Sequence, residues 1–298
     1  MIRLFGRFRL ELEGGEPFEI ESRKAQELLC YLLIHRNRSH ARETLAETIW
    51  GESPDSRAKK YLRQALWQVQ SAFAAITDPH IPPLILADTE WIQINPEADI
   101  WLDVAQLEEA DLNARGQHGK DLPQEVYQKV KCATENYHGE MLEGWYEDWC
   151  LFERERLQNI YLTLLDKLMG YCEAHHAYEE ALAYGERILR YDVARERTHR
   201  RMVRIYYLAG ERTTALRQYE RCVTLLQEEL GVKPSQKTVE LYEHICQDHI
   251  RQLDPPPSAP SVSTPDILSR LHHLEKMVSD FHERVSDEIR TLEQTLKN

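Results

Sequence analysis

Two stretches of the chain repeat one another at a fixed distance. CEAHHAYEEALAYGERIL (172–189) lies over YYLAGERTTALRQYERCV (206–223) at an offset of 34 residues. Ala181 meets Ala215, Leu182 meets Leu216, Glu186 meets Glu220 and Arg187 meets Arg221. A repeat of this length is one two-helix hairpin, which cannot bury its apolar face alone. Its neighbours must stack on it, so this part of the chain is held to a helical array. The small alanine falls where two helices cross closely. Ala133, followed four residues on by Tyr137, fits the second helix of an earlier, degenerate unit.

Thirty-four residues is the tetratricopeptide period, and from residue 101 the apolar pattern is almost purely helical. Residues 101–253 therefore read as a tetratricopeptide-like domain. DPPPSAPSVSTP (254–265) holds five prolines in twelve residues and reads as an extended linker. Beyond it Ile267, Leu271, Leu274, Val278, Phe281, Val285, Ile289, Leu292 and Leu296 fall on a heptad seam with one stutter. A lone helix cannot bury that seam. The expectation for 266–298 is an amphipathic coiled-coil helix that pairs with a second copy in a homo-oligomer, with a partner helix or with the body of its own chain.

The first hundred residues differ in kind. Ile2, Leu4, Phe8, Leu10 and Leu12 share one parity, which predicts a half-buried strand. Gly14-Gly15 predicts a turn and PFEIES a returning strand. Ser22 caps a helix through RKAQELLCYLLIHRN, which Asn37-Arg38-Ser39 ends. ARETLAETIW is a second helix, with Leu45, Ile49 and Trp50 inward and Gly51 as C-cap. A third starts at Ser53-Pro54-Asp55 and breaks at Asp78-Pro79. LILADTEWIQI reads as two short strands. Strands, three helices and a hairpin make a winged helix-turn-helix over residues 1–100, with an N-terminal β-sheet. The fold class is mainly α: this domain, the helical repeat and a C-terminal coiled coil.

Charge divides the same way. The chain carries a net −13, yet residues 23–75 hold nine Lys/Arg against five Asp/Glu. Screening over roughly 8–10 Å lets a basic module on an acidic body meet a polyanion. On the third helix Leu62, Leu66, Val69 and Phe73 form a narrow apolar stripe. Lys60, Gln64, Trp67 and Ser71 lie opposite, with Ser56 and Arg63 beside them. This is the layout of a helix that enters a major groove about 12 Å wide. Arg63 and Gln64 suit base edges, while Arg57, Lys59 and Lys60 suit phosphates. Arg36, Arg38, His40 and Arg42 cluster where a duplex backbone would pass. Trp67 suits either DNA or packing on the hairpin or helical domain. The bland alternative for the whole face is solvation.

Other chemistry is weakly signalled. Cys30, Cys132, Cys150, Cys172, Cys222 and Cys246 form no CxxC pair and read as buried thiols of a cytoplasmic protein. His175-His176 and His272-His273 are adjacent, and adjacent residues diverge on a helix, so no metal or other cofactor is expected. GQHGKD (116–121) lacks the P-loop spacing. No nucleophile stands at a glycine-shaped turn, so no enzyme is expected. No apolar run suits a membrane span, and no unbroken apolar stretch suits a signal peptide. WYEDW (145–149) reads as a binding surface or, better, as Trp145 and Trp149 packing the start of the helical domain.

SRKAQELLCYLLIHRNRSHARETLAETIWGESPDSRAKKYLRQALWQVQSAF resembles the DNA-binding domain of the Streptomyces antibiotic regulatory protein (SARP) family, which is similar to that of OmpR-type response regulators. YHGEMLEGW, EDWCLFERERL and the run from ALAYGERIL to EELGVKPS resemble the bacterial transcriptional activation domain that follows it. The resemblance spans roughly residues 1–250. It implies a regulator that binds direct repeats of double-stranded DNA near promoters and contacts RNA polymerase. It also implies that the third helix reads DNA, which maps to residues 56–73 and so to the face already read from the helix wheel. Val69-Gln70-Ser71 departs from the Leu-Arg often found there, which puts backbone affinity and target sequence in doubt. Two other readings stand beside it. One is a tetratricopeptide-type adaptor whose winged helix docks protein. The other is a ligand-sensing regulator.

Overall fold

In the computed structural model the described residues are 1–12, 16–51, 53–75 and 82–247, without the side chains of Asp55 and Ser56. The expected Gly14-Gly15 turn, the break at Asp78-Pro79, the proline linker and the C-terminal helix lie outside them.

The N-terminal alternation is not one strand. β1 (Ile2–Arg3) and β2 (Arg9–Glu11) run antiparallel with Ile2 opposite Leu10, and β3 (Pro17–Phe18) pairs with β2. The chain reverses at Gly6, whose φ of 79° lies in the left-handed region that favours glycine. The reversal keeps the parity of the apolar residues, so the periodicity hid it.

α1 (Arg23–Ile34) begins as its sequence predicts, with Ser22 Oγ accepting from the Ala25 N–H. Leu28, Leu29, Leu32 and Leu33 are fully buried. β4 (His40–Ala41) follows, then α2 (Arg42–Trp50) and α3 (Asp55–Ala74). Gly51 ends α2 in a right-handed conformation, not the left-handed one of a glycine C-cap. It gives room instead, since a Cβ there would sit 2.7 Å from the Glu47 carbonyl oxygen. β5 (Ile85–Ala87) and β6 (Trp91–Ile94) form the expected hairpin. β4 joins it as a third strand, in the order β4-β6-β5, which no sequence signal announced.

The helical part holds α4 (Asp103–Ala114), α5 (Gln124–Glu135), α6 (Asp148–Ala174), α7 (Tyr178–Leu189), α8 (Glu196–Leu208), α9 (Arg212–Leu230) and α10 (Gln236–Cys246). The 34-residue correspondence recurs in the burial. Ala181 and Ala215 are fully buried on α7 and α9, as are Ile188 and Cys222 at the next equivalent place. Ala133 is buried on α5, which pairs with α4, and Tyr137 is buried just past its end. Cys30, Cys150, Cys172 and Cys222 are buried thiols as expected, but Cys132 and Cys246 are exposed.

Residues 1–238 form one compact unit, and the described residues from 239 to 247 fall outside it. Within the first unit the N-terminal strands lie against the helical part. The Asp103 carboxylate accepts the N–H groups of Leu4, Phe5 and Val104 at 2.7–3.0 Å. Ile2 N–H donates to Trp101 O, and Leu142 N–H to Leu4 O, each at 2.8 Å. Burial raises the Asp103 pKa, and the three N–H bonds oppose that rise. Arg154 fixes the loop on the far side through the carbonyls of Met141, Leu142 and Trp145. α1 is tied in by Arg23, stacked 3.4 Å over the Trp145 ring, and by Tyr31, edge-on to Trp149 at 5.3 Å. Trp145 and Trp149 thus pack the start of the helical part, as the sequence favoured.

Candidate nucleic-acid interface

α3 is built as a two-sided helix. Ala58, Leu62, Ala65, Leu66 and Val69 are buried, and the helix rests on α1 and α2. At 100° per residue that stripe leaves Arg57, Lys60, Arg63, Gln64 and Trp67 outward, and all five are exposed. The side chains of Arg57, Lys60, Arg63 and Gln64 make no hydrogen bond or ion pair with another described residue. Trp67 is 66% exposed, so neither the hairpin nor the helical part buries it. Tyr61, 39% exposed, adds a second aromatic that the sequence reading passed over. Its place beside Lys60, just off the apolar stripe, was the available signal.

The remaining cations are not equivalent. Lys59 lies 2.6 Å from Glu43 on α2, which holds the Glu43 carboxyl below its ordinary range. Arg42 is half-buried, and its Nε donates to the Asp88 carbonyl in the hairpin turn at 2.7 Å. Arg38 is exposed. The expectation that Arg36 and His40 also face a duplex fails. Arg36 pairs with Glu108 of α4 at 2.6 Å. His40 is 6% exposed, with a ring nitrogen 3.2 Å from the His35 carbonyl, and burial lowers its pKa. The Arg36 partner lies 72 residues away, where the local sequence does not reveal it.

The hairpin turn is acidic. Asp88 Oδ1 accepts the N–H groups of Glu90 and Trp91 at 2.8 Å, which keeps its carboxyl below the ordinary value. Glu90 is exposed beside it. An open cleft of about 570 Å³ runs between the turn after α1 and the end of β6, lined by Arg38, Ser39, Gln93, Ile94 and Pro96 among others. Among the described residues no His, Cys, Asp or Glu cluster could hold a metal ion, and no helix is long and apolar enough to cross a membrane.

Residues 102–246 match the bacterial transcriptional activator domain. The chain is 26% identical over 282 residues to the regulatory protein AfsR of Streptomyces coelicolor, covering 91% of this chain and 26% of that protein. It therefore spans about a quarter of that relative's length. It is also 26% identical over 256 residues to the transcriptional regulatory protein MoaR1 of Mycobacterium tuberculosis, covering 82% of this chain and 78% of that one. Its fold is similar to that of Mycobacterium tuberculosis EmbR, solved in complex with a low-affinity phosphopeptide. There the TM-score is 0.57 at 19% identity, over 83% of this chain and 65% of that chain.

Proposed function

We propose that the chain is a SARP-type transcriptional activator, a sequence-specific DNA-binding regulator that activates transcription from promoter direct repeats. This reading is supported by the match of residues 102–246 to the bacterial transcriptional activator domain and by the likeness to AfsR and MoaR1. Residues 1–100 act as a winged helix-turn-helix, with α3 in the major groove and the β5–β6 hairpin as the wing. Arg63 and Gln64 read bases, and Arg57, Lys60 and Arg38 hold phosphates. The acidic turn at Asp88 and Glu90 is repelled by phosphate, so recognition rests on α3 more than on the hairpin tip. The tetratricopeptide-like domain, residues 101–253, carries the contact with RNA polymerase. Residues 266–298, outside the described part, join two copies and raise affinity by making the second binding event intramolecular.

One observation carries this reading. The outward face of α3 holds three exposed cations and Gln64 with no partner among the described residues. The test is selection of bound sequences from random duplexes, with the full chain and with residues 1–253. Recovery of a shared motif, with affinity falling steeply from low to moderate salt, is the expected result. Binding without sequence preference or salt dependence sinks the reading. Loss of paired half-sites in the shorter chain supports the joining role of the last segment.

A further inference from the structure

Five aromatic side chains stand more than a third exposed among the described residues: Tyr61, Trp67, Trp91, Tyr146 and Phe152. Four of them sit in two patches of opposite charge. Tyr61 and Trp67 lie on α3 among Arg57, Lys60 and Arg63. Tyr146 (78% exposed) and Phe152 (74%) lie at the start of α6, with Leu151 at 42%. The exposed carboxylates around them are Glu143, Asp148 and Glu155. The nearby cation, Arg156, is already held at 2.6 Å by both Glu153 and Glu108. The second patch is therefore apolar at its centre and negative at its edge. Large exposed apolar side chains grouped this way mark an interaction surface.

Within one chain the two patches do not cover each other, since both are exposed. α1 packs on α3 and also holds the start of α6, through Arg23 over Trp145 and Tyr31 against Trp149. Both patches stay exposed while α1 fixes them to the same unit. The geometry points to a head-to-tail contact between two copies of this chain, in which the Tyr146–Phe152 patch of one covers the α3 face of the other when no duplex is bound. This rests on the reading of α3 as the nucleic-acid face. The features that suit α3 to a polyanion, cations flanking flat aromatic rings, suit it equally to carboxylates around Phe152. The contact is small and charged at its rim, so it is weak, salt-sensitive and displaced by duplex. Being a contact between two different patches, it leaves one patch of each kind free in a pair of chains unless the rotation closes a ring, and its population grows with concentration.

The test uses two full-length preparations in which the exposed Cys132 and Cys246 are replaced by serine. One carries Phe152→Cys and the other Trp67→Cys. Mild oxidation of the mixture at low salt is expected to give a mixed disulfide dimer, and a mixed-sequence duplex is expected to suppress it. A mixture that cross-links no better than either preparation alone overturns the contact. Cross-linking indifferent to duplex overturns the masking. As a thiol-free measurement, Tyr146→Ala with Phe152→Ala is expected to raise apparent duplex affinity at micromolar protein about threefold or more, a gain of roughly a factor of ten being 1.4 kcal/mol. An unchanged affinity counts against the proposal. If Lys60→Ala with Arg63→Ala leaves duplex affinity intact, the nucleic-acid reading falls separately, while the duplex-free cross-link still reports on the contact.

Discussion

α3 and α8 look alike as strings of letters. α3 carries Arg57, Lys59, Lys60 and Arg63, and α8 carries Arg197, Arg200, Arg201 and Arg204. Folded, they divide. On α8 every one of these arginines meets a carboxylate: Arg197 and Arg201 reach Asp166, Arg201 and Arg204 reach Glu173, and Arg200 reaches Glu196. On α3 Lys59 has its carboxylate in Glu43, and the other three cations have none among the described residues. Cations that meet acids of their own fold knit helices together. Cations left in solvent beside a buried stripe are available to something else. The pairing, more than the number of charges, separates structure from function.

The sharpest way to break that contrast is to remove one cation from each helix. Arg63→Ala is expected to cost about 1–3 kcal/mol of duplex binding, read by titration of a selected site, with thermal stability unchanged. Arg201→Ala is expected to do the reverse. It strips the Glu173 and Asp166 carboxylates of a partner and costs roughly 1–2 kcal/mol of folding stability, while duplex affinity stays level. Equal effects of the two variants on binding would erase the distinction.

Acid should separate the helices too. His199 on α8 is fully buried, its Nδ1 2.8 Å from Gln218 Nε2 and its Nε2 2.8 Å from the Val193 carbonyl. Burial lowers its pKa from the ordinary 6.5. A group held neutral in the fold binds more protons when unfolded, so stability is full above about 6.5 and falls as pH drops toward the folded value. The melting temperature is expected to decline below pH 6.5, and His199→Gln to flatten that decline.

Smaller effects test the contrast within α3 itself. Lys60→Ala is expected to lower the salt slope of duplex binding by about one. Lys59→Ala, already matched by Glu43, is expected to lower it less. Smallest of all, Asp88→Asn with Glu90→Gln in the hairpin turn is expected to raise duplex affinity by about two- to threefold. A loss of affinity in that variant would mean that the hairpin tip contributes more than its charge suggests.

What the sequence disclosed follows from how far apart the cooperating residues lie. The stripe Leu62, Leu66 and Val69 and the matched Ala181 and Ala215 are local or periodic, and both were legible. So was the outward face of α3, because burying one side of a helix fixes the other. The reversal at Gly6 was hidden by a parity that survives the turn. The commitment of Arg36 to Glu108 spans 72 residues, and that of the Leu4 N–H to Asp103 spans 99. No pattern in a short window contains either partner, so Arg36 looked as free as Arg38.

The Asp103 clamp also sets a clock. Leu4 and Phe5 are made before the carboxylate that satisfies their backbone, which follows 98–99 residues later. At roughly 5–20 residues per second of synthesis, that is a wait of about 5–20 s. During it the N-terminal strands have neither Asp103 nor the Met141–Leu142 backbone to lie against. The β1–β3 sheet is thus completed by residues far downstream, and a nascent chain acquires those contacts only after the helical part has begun to emerge.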